Sequence, residues 1–176
     1  QGMDRSGRVI YLGTFSKCIA PAIRVSYLVL PMQLLARYRS QTSFYASTVS
    51  RIDQNILYQF LSGGYFERHL SRLKKFYHAE GERLKRILKQ SVLLPAVSVD
   101  GGESGTHLLV KVDTSMTDTE IEEAAENMGI HISCLSRFCS EKNPEYDHIL
   151  VLNYSDMDES RLTEAVRRLG NIFIQW

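Results

Sequence analysis

Two rhythms of apolar and polar positions organise this chain of 176 residues. Near its start, Arg8 to Leu12 (RVIYL) is an apolar, β-branched stretch stopped by Gly13. Arg24 to Leu30 (RVSYLVL) is a second, stopped by Pro31. Both read as short buried strands. From Pro31 the spacing turns helical. Leu34, Leu35 and Tyr38 mark one helix, and Ile52, Ile56, Leu57 and Phe60 another, ending before Gly63-Gly64. A longer helix follows, with Phe66, Leu70, Leu73, Tyr77, Leu84, Ile87 and Leu88 on one stripe. Gly81 interrupts it at a cost of about 1 kcal/mol relative to alanine. The stripe is either a dimer seam or a face packed on its own domain, and the second is the simpler reading.

The pattern changes in the second half. Pro95 to Gly105 reads as a glycine-rich connector, and His107 to Val112 (HLLVKV) alternates into a strand. Thr117 and Glu120 form a capping box, which starts a helix that ends at Gly129, a good C′ residue. Ile130 to Cys134 and His148 to Tyr154 (HILVLNY) read as strands. Ser155 or Asp156 caps a last helix carrying Arg167 and Arg168 before Gly170. The predicted order is β-α-β-β-α, an α+β unit near the lower size limit for independent folding. No internal repeat is visible. The boundary between the two halves is expected at 90/91.

Composition narrows the function classes. Hydrophobic residues are 44% and charged residues 23%, the range of ordinary globular domains. Lys plus Arg is 21 and Asp plus Glu is 20, so net charge offers no argument for nucleic acid or a polyanionic substrate. No apolar run approaches the roughly 20 residues of a transmembrane helix, and Gln1 to Arg8 is polar, unlike a signal peptide. The chain begins without a start methionine, which leaves its natural amino terminus open. Cys18, Cys134 and Cys139 are an odd number of cysteines without metal-ligand spacing. They fit free thiols in a reducing, cytoplasmic compartment. Glu67 to Gln90 is rich in Lys and Arg, and it reads as a solvated helix face in preference to a nucleic-acid surface. The five histidines show no catalytic pairing and are expected to be structural.

One cluster carries candidate chemistry. Thr14-Phe15-Ser16-Lys17 is followed seven residues after the lysine by Arg24. Hydroxyls and a guanidinium can hold a phosphate dianion through charge-assisted hydrogen bonds. A lysine amine can condense with an aldehyde once partly deprotonated. Pyridoxal phosphate (PLP) asks for both. On residue types alone, a surface loop with a solvated lysine fits equally well.

The run RVIYLGTFSKCIAPAIRVSYLVLP resembles the Schiff-base lysine segment of fold-type I PLP enzymes, the aspartate-aminotransferase superfamily. Within that superfamily it is most similar to the aminotransferase-like domain of MocR-type regulators of the GntR family, whose run reads approximately ViYxGTFSKxLxPxlRlGYlvxP. The likeness continues through SRIDQNILYQFLSGGYFERHLSRLKKFYHAEGERLKRIL, GGESGTHLLVKV and LVLNYSDMDESRLTEAVRRL, and so covers nearly the whole chain.

The resemblance implies an α/β fold: a remnant of the three-layer α/β/α large domain over residues 1–90, and a small α+β carboxy-terminal domain over 91–176. It implies Lys17 as the lysine of the internal aldimine with PLP, Thr14 and Ser16 as phosphate-contacting hydroxyls, and Arg24 as the phosphate-binding arginine. Cys18 beside the lysine is expected to pack. Ala22 and Ser26 stand where the family usually has glycine, a change in local backbone freedom. Val151 stands where aminotransferases place the arginine that grips a substrate carboxylate; Arg137 in the preceding loop could substitute, although an exposed loop arginine is the simpler reading. The family's remaining cofactor-holding elements precede the lysine. The 176 residues by themselves are therefore expected to bind PLP weakly or not at all.

The function this implies is a PLP-binding effector domain of a transcriptional regulator. It would sense an amine or amino-acid ligand, act as a homodimer, and reach DNA only through a winged helix-turn-helix outside these residues. The alternatives are a class I/II aminotransferase and a degenerate interaction domain with a vestigial pocket.

Overall fold

The computed structural model describes residues 2–91, 95–103, 105–155 and 158–174. They form two compact units, Gln1–Arg72 and Leu73–Trp176.

In the first unit, β1 (Tyr11–Thr14) and β2 (Ser26–Val29) make an antiparallel ribbon, with Tyr11 opposite Val29 and Thr14 opposite Ser26. The expectation of buried strands is corrected. Leu12 is 74% exposed, and Tyr27, Leu28 and Val29 also lie open. A two-stranded ribbon has two apolar faces, and no strand of the described residues pairs with either edge. Three helices follow: α1 (Met32–Thr42), α2 (Arg51–Ser62) and α3 (Tyr65–Gln90). The Ser50 side chain caps α2 by accepting from the Asp53 amide at 3.1 Å. Gly63 ends that helix and Gly64 takes a φ of 67°, a left-handed conformation that glycine adopts without strain. Only Leu57 of α2 is buried. The unit is held by aromatic contacts, with the Phe15 ring 5.3 Å from Tyr27 and 6.0 Å from Phe66 between centroids.

The second unit is a four-stranded antiparallel sheet in the order β3-β4-β6-β5. Its strands are β3 (Ala96–Gly101), β4 (His107–Val112), β5 (Ser133–Cys134) and β6 (Ile149–Asn153). Strand alternation builds the core. Leu108, Val110 and Val112 of β4, with Leu150 and Leu152 of β6, face one way. They pack on Leu84 and Leu88 of α3, on Ile121 and Ala125 of α4 (Asp118–Asn127), and on Leu162 and Val166 of α5 (Glu159–Ile172).

Several expectations change here. The Pro95–Gly105 connector contains strand β3, so the order is β-β-α-β-β-α. Its Ala96–Asp100 segment pairs with β4, and the glycines sit at and after its end, where Gly101, Gly102 and Gly105 all take positive φ. The Ile130–Cys134 strand shrinks to two residues. The cap of α5 is Asp158, whose carboxylate accepts from the Arg161 amide at 2.9 Å. Of the two expected caps, Ser155 lies before the helix and Asp156 lies outside the described residues. Helix α5 also runs through Gly170 to Ile172.

The α4 termini match the reading of their sequence. The Thr117 amide and hydroxyl donate to the Glu120 carboxylate at 2.7 and 2.8 Å, and the Glu120 amide returns to the Thr117 hydroxyl at 3.3 Å. At the other end the Gly129 amide bonds the Glu126 carbonyl and the Ile130 amide the Ala125 carbonyl, both at 2.9 Å. With Gly129 at φ 72° this is a Schellman stop.

Gly81 does not break α3. A Cβ there would lie 3.0 Å from the Cα and carbonyl oxygen of Gly102 and 3.2 Å from the Tyr154 hydroxyl. The helix thus accepts glycine's lower propensity to let the β3–β4 turn approach. Gly81→Val should destabilise the protein by about 2 kcal/mol through overpacking, despite the gain in side chain. A urea midpoint unchanged from wild type would refute this close approach.

Candidate functional site

The ribbon end organises the lysine loop. Past Thr14, the Phe15 amide continues the ladder by donating to the Val25 carbonyl at 3.0 Å. The chain then makes one helical turn, in which the Cys18 and Ile19 amides donate to the Phe15 carbonyl at 3.2 and 2.8 Å. Lys17 sits on this turn, exposed. The return limb is tied by side chains. The Thr14 hydroxyl donates to the Val25 carbonyl at 3.2 Å and accepts from the Ser16 amide at 3.3 Å. The Ser16 hydroxyl donates to the Ile23 carbonyl and accepts from Arg24 Nη1 at 3.5 Å. Thr14, Ser16 and Arg24 are therefore one connected polar cluster, adjoining Lys17 in the chain.

This donor set suits a phosphate. Arg24 is exposed, and its one hydrogen bond among the described residues uses a single N–H of the guanidinium's five. The Thr14 hydroxyl can also rotate away from the Val25 carbonyl, which the Phe15 amide continues to serve. The Cys18 thiol donates to the Thr14 carbonyl at 3.4 Å, a contact within the turn itself.

Gly13 is a residue that spacing alone did not single out. The Tyr27 ring lies across it, so that a Cβ would fall 2.3 Å from the ring. Tyr27 in turn stacks at a tilt on Phe15, next to the cluster. The glycine in the GTFSK run thus seats an aromatic ring beneath the loop. Only the pairing of Gly13 with Tyr27 across the ribbon makes this visible.

The other singled-out residues lie in the second unit or in α3. Val151 is on β6 and Arg137 on a 3-10 turn (Leu135–Phe138), and both line one cleft of the second unit. His107 bonds Asn153 at 3.2 Å, and His131 pairs with Glu126 at 2.6 Å. The His148 amide donates to the Asp118 carboxylate at 2.8 Å, in a backbone with φ of 61°. His69 Nε2 is buried without a hydrogen-bond partner among the described residues. The described residues contain no cluster of three or more metal-ligating side chains. No described helix is long and apolar enough to cross a membrane.

The cysteines differ in character. Cys134 is fully buried, and burial, with Asp118 and Glu122 nearby, pushes its thiol up to about 12. Cys18 and Cys139 are half-exposed. A thiol reagent near pH 8 should label Cys18 and Cys139 and spare Cys134 until the protein is unfolded. Equal labelling of Cys134 in the native protein, followed by peptide mass spectrometry, would contradict this.

No family model matches the chain. It is 32% identical over 174 residues to the probable rhizopine catabolism regulatory protein MocR of Rhizobium meliloti, covering 99% of this chain and 35% of that protein. It is 32% identical over 169 residues to the HTH-type transcriptional regulator YdeL of Bacillus subtilis, covering 96% of the chain and 36% of the relative. The chain thus spans about a third of the length of the curated relatives it matches. Among solved structures, the Pyrococcus horikoshii kynurenine aminotransferase superposes with a TM-score of 0.79 at 25% identity, over 98% of this chain and 42% of that one. The expected fold, part of a fold-type I aminotransferase-like domain, is the fold observed.

Proposed function

We propose, starting from a chain homologous over nearly its whole length to the aminotransferase-like part of MocR-type HTH regulators, that it is the PLP-binding effector region of such a regulator. The convergence of Ser16 and Arg24 beside Lys17 carries this reading. Arg24 would supply the fixed cation for the phosphate, with Thr14 and Ser16 as its hydroxyl partners. Lys17 would supply the amine and take up or release its proton at Nζ. When bound, the cofactor contributes an aldehyde for amine capture and an electron-withdrawing ring. With a ligand amine bound, Lys17 Nζ would be free to take up a proton from solvent, and this local change in charge would bias two conformations of the regulator. DNA contact would fall to a helix-turn-helix outside these residues. The reading includes a homodimer in the cytoplasm. Exposed apolar residues on α2, Ile52, Ile56 and Tyr58, offer a surface for such pairing, and free cysteines suit that compartment.

A second reading, a true aminotransferase of amino acids, draws support from the kynurenine aminotransferase likeness. Val151 at the position of the carboxylate arginine weighs against it. Amino-donor turnover with an oxoacid would favour the enzyme.

Reductive trapping tests the site directly. With limiting PLP and borohydride, the phosphopyridoxyl group should reach Lys17 in about tenfold preference over the lysines of α3, such as Lys74 and Lys75. Mass spectrometry of peptides reads the distribution. Uniform labelling of all exposed lysines would sink the assignment, and the weak affinity expected of this chain alone does not alter a ratio of sites.

A further inference from the structure

We propose that Phe66, at the start of α3, is a positioning residue for Lys17 and that it acts through Phe15. The proposal rests on the reading of Lys17 as the cofactor amine, and it assigns the side chain that keeps that amine in place.

Lys17 lies on an exposed turn, so its place is set by the backbone beneath it. That backbone hangs on Phe15. The Phe15 amide donates to the Val25 carbonyl at 3.0 Å, and its carbonyl accepts from the Cys18 and Ile19 amides at 3.2 and 2.8 Å. Phe15 thus joins the strand ladder to the turn, and whatever fixes it also fixes Ser16 and Lys17. The ribbon by itself is a weak support. A lone two-stranded hairpin is marginally stable in water, and Leu12, Leu28 and Val29 are all open to solvent.

The Phe15 side chain supplies the anchor. Its half-buried ring lies between Tyr27 at 5.3 Å and Phe66 at 6.0 Å, measured between centroids. Tyr27 belongs to β2 and moves with the ribbon, whereas Phe66 belongs to a helix. The planes of Phe15 and Phe66 meet at 74°, an edge-to-face pair at a distance where rings attract beyond their buried area. Phe66 is itself backed by Phe60 of α2, at 6.2 Å and 68°. Among the aromatic pairs of the described residues, Phe66 is the one that brings a helix to Phe15. An ordinary packing role would instead stabilise α2 and α3 as much as the turn, and the two roles separate by experiment.

Leucine at position 66 keeps most of the apolar volume and removes the ring edge. In Phe66→Leu, the Cys18 and Ile19 amides of the whole chain should exchange with solvent about fivefold faster in two-dimensional NMR, without cofactor. Amides of α2 and β4 should keep their wild-type rates. In borohydride trapping, the preference of PLP for Lys17 over Lys74 and Lys75 should fall by a similar factor. Phe15→Leu should reproduce both effects, and the double variant should add nothing to either single one. Unchanged exchange at Cys18 and Ile19 in Phe66→Leu would overturn the proposal. So would additive losses in the double variant, or an equal acceleration throughout α2. Uniform trapping on all lysines of the wild type would remove the cofactor reading alone, and the exchange rates would still decide whether Phe66 holds the turn.

Discussion

In the proposed site, alanine at Arg24 is expected to lower the affinity of the lysine loop for PLP by about 2 kcal/mol, roughly thirtyfold. The magnitude follows from what the side chain does. In the proposed site Arg24 is the one fixed cation among Thr14, Ser16 and Lys17, and its Nη1 already reaches the Ser16 hydroxyl at 3.5 Å. A charge-assisted contact to a dianion is worth about twice a neutral hydrogen bond, but this arginine is exposed, and solvent screening holds the figure near the lower end of that range. Lysine at this position should recover part of the loss, because it restores charge without the planar fork. The pH dependence gives a second readout. A phosphate ester loses its second proton near pH 6, so above that pH the arginine faces a dianion and below it a monoanion. The gap between wild type and Arg24→Ala should therefore narrow as pH falls below about 6. The amount of cofactor trapped on Lys17, plotted against PLP concentration at two pH values, measures both. Identical curves for wild type and variant would remove Arg24 from the phosphate site.

Leu150→Ala is expected to destabilise the protein by about 3 kcal/mol, the usual cost of emptying a well-packed leucine site. Leu150 is fully buried at the centre of the second unit's sheet. It sits opposite Val110 on β4 and opposite Cys134 on β5, and it belongs to the cluster that joins the sheet to α3, α4 and α5. A cavity there has strands on both sides and helices above, so little can relax into it. A domain of this size has about 5–15 kcal/mol of stability, so the loss is a large part of the total. Val151→Ala on the same strand serves as the control. Its side chain lies on the alternate face and is half-exposed, and it should cost about 1 kcal/mol or less. Urea unfolding followed by circular dichroism reads both, and equal losses for the two variants would show that strand alternation does not set the core.

Where the fold was legible, the deciding interactions are local. The Thr117 box involves residues three apart, the Gly129 stop closes bonds within five residues, and β4 showed its full extent in HLLVKV because alternate positions face core and solvent. Strand β3 was missed because its flanking glycines outweighed a short alternating run, and its pairing with β4 is a contact between separate segments. The burial of β1 and β2 was overestimated, since apolar residues say that a surface can be covered without saying that anything covers it. At the candidate site, residue types and spacing marked out Thr14, Ser16, Lys17 and Arg24. Only the fold showed that Gly13 lies under Tyr27 and that Arg137 and Val151 share one cleft.

By itself, then, the sequence determined both ends of α4, the alternation of β4 and β6, the lysine run and its resemblance to the aminotransferase-like part of a regulator. These depend on backbone hydrogen-bond satisfaction, side-chain periodicity and residue chemistry, all of which act over a few positions. Tertiary structure alone decided that a side chain at Gly81 would crowd Gly102, that Glu122 pairs with Arg137, and that β5 is only two residues long. Each of these joins groups distant in the chain. The physical reason is that close approach and enclosure are properties of where segments meet, and no single segment carries that information.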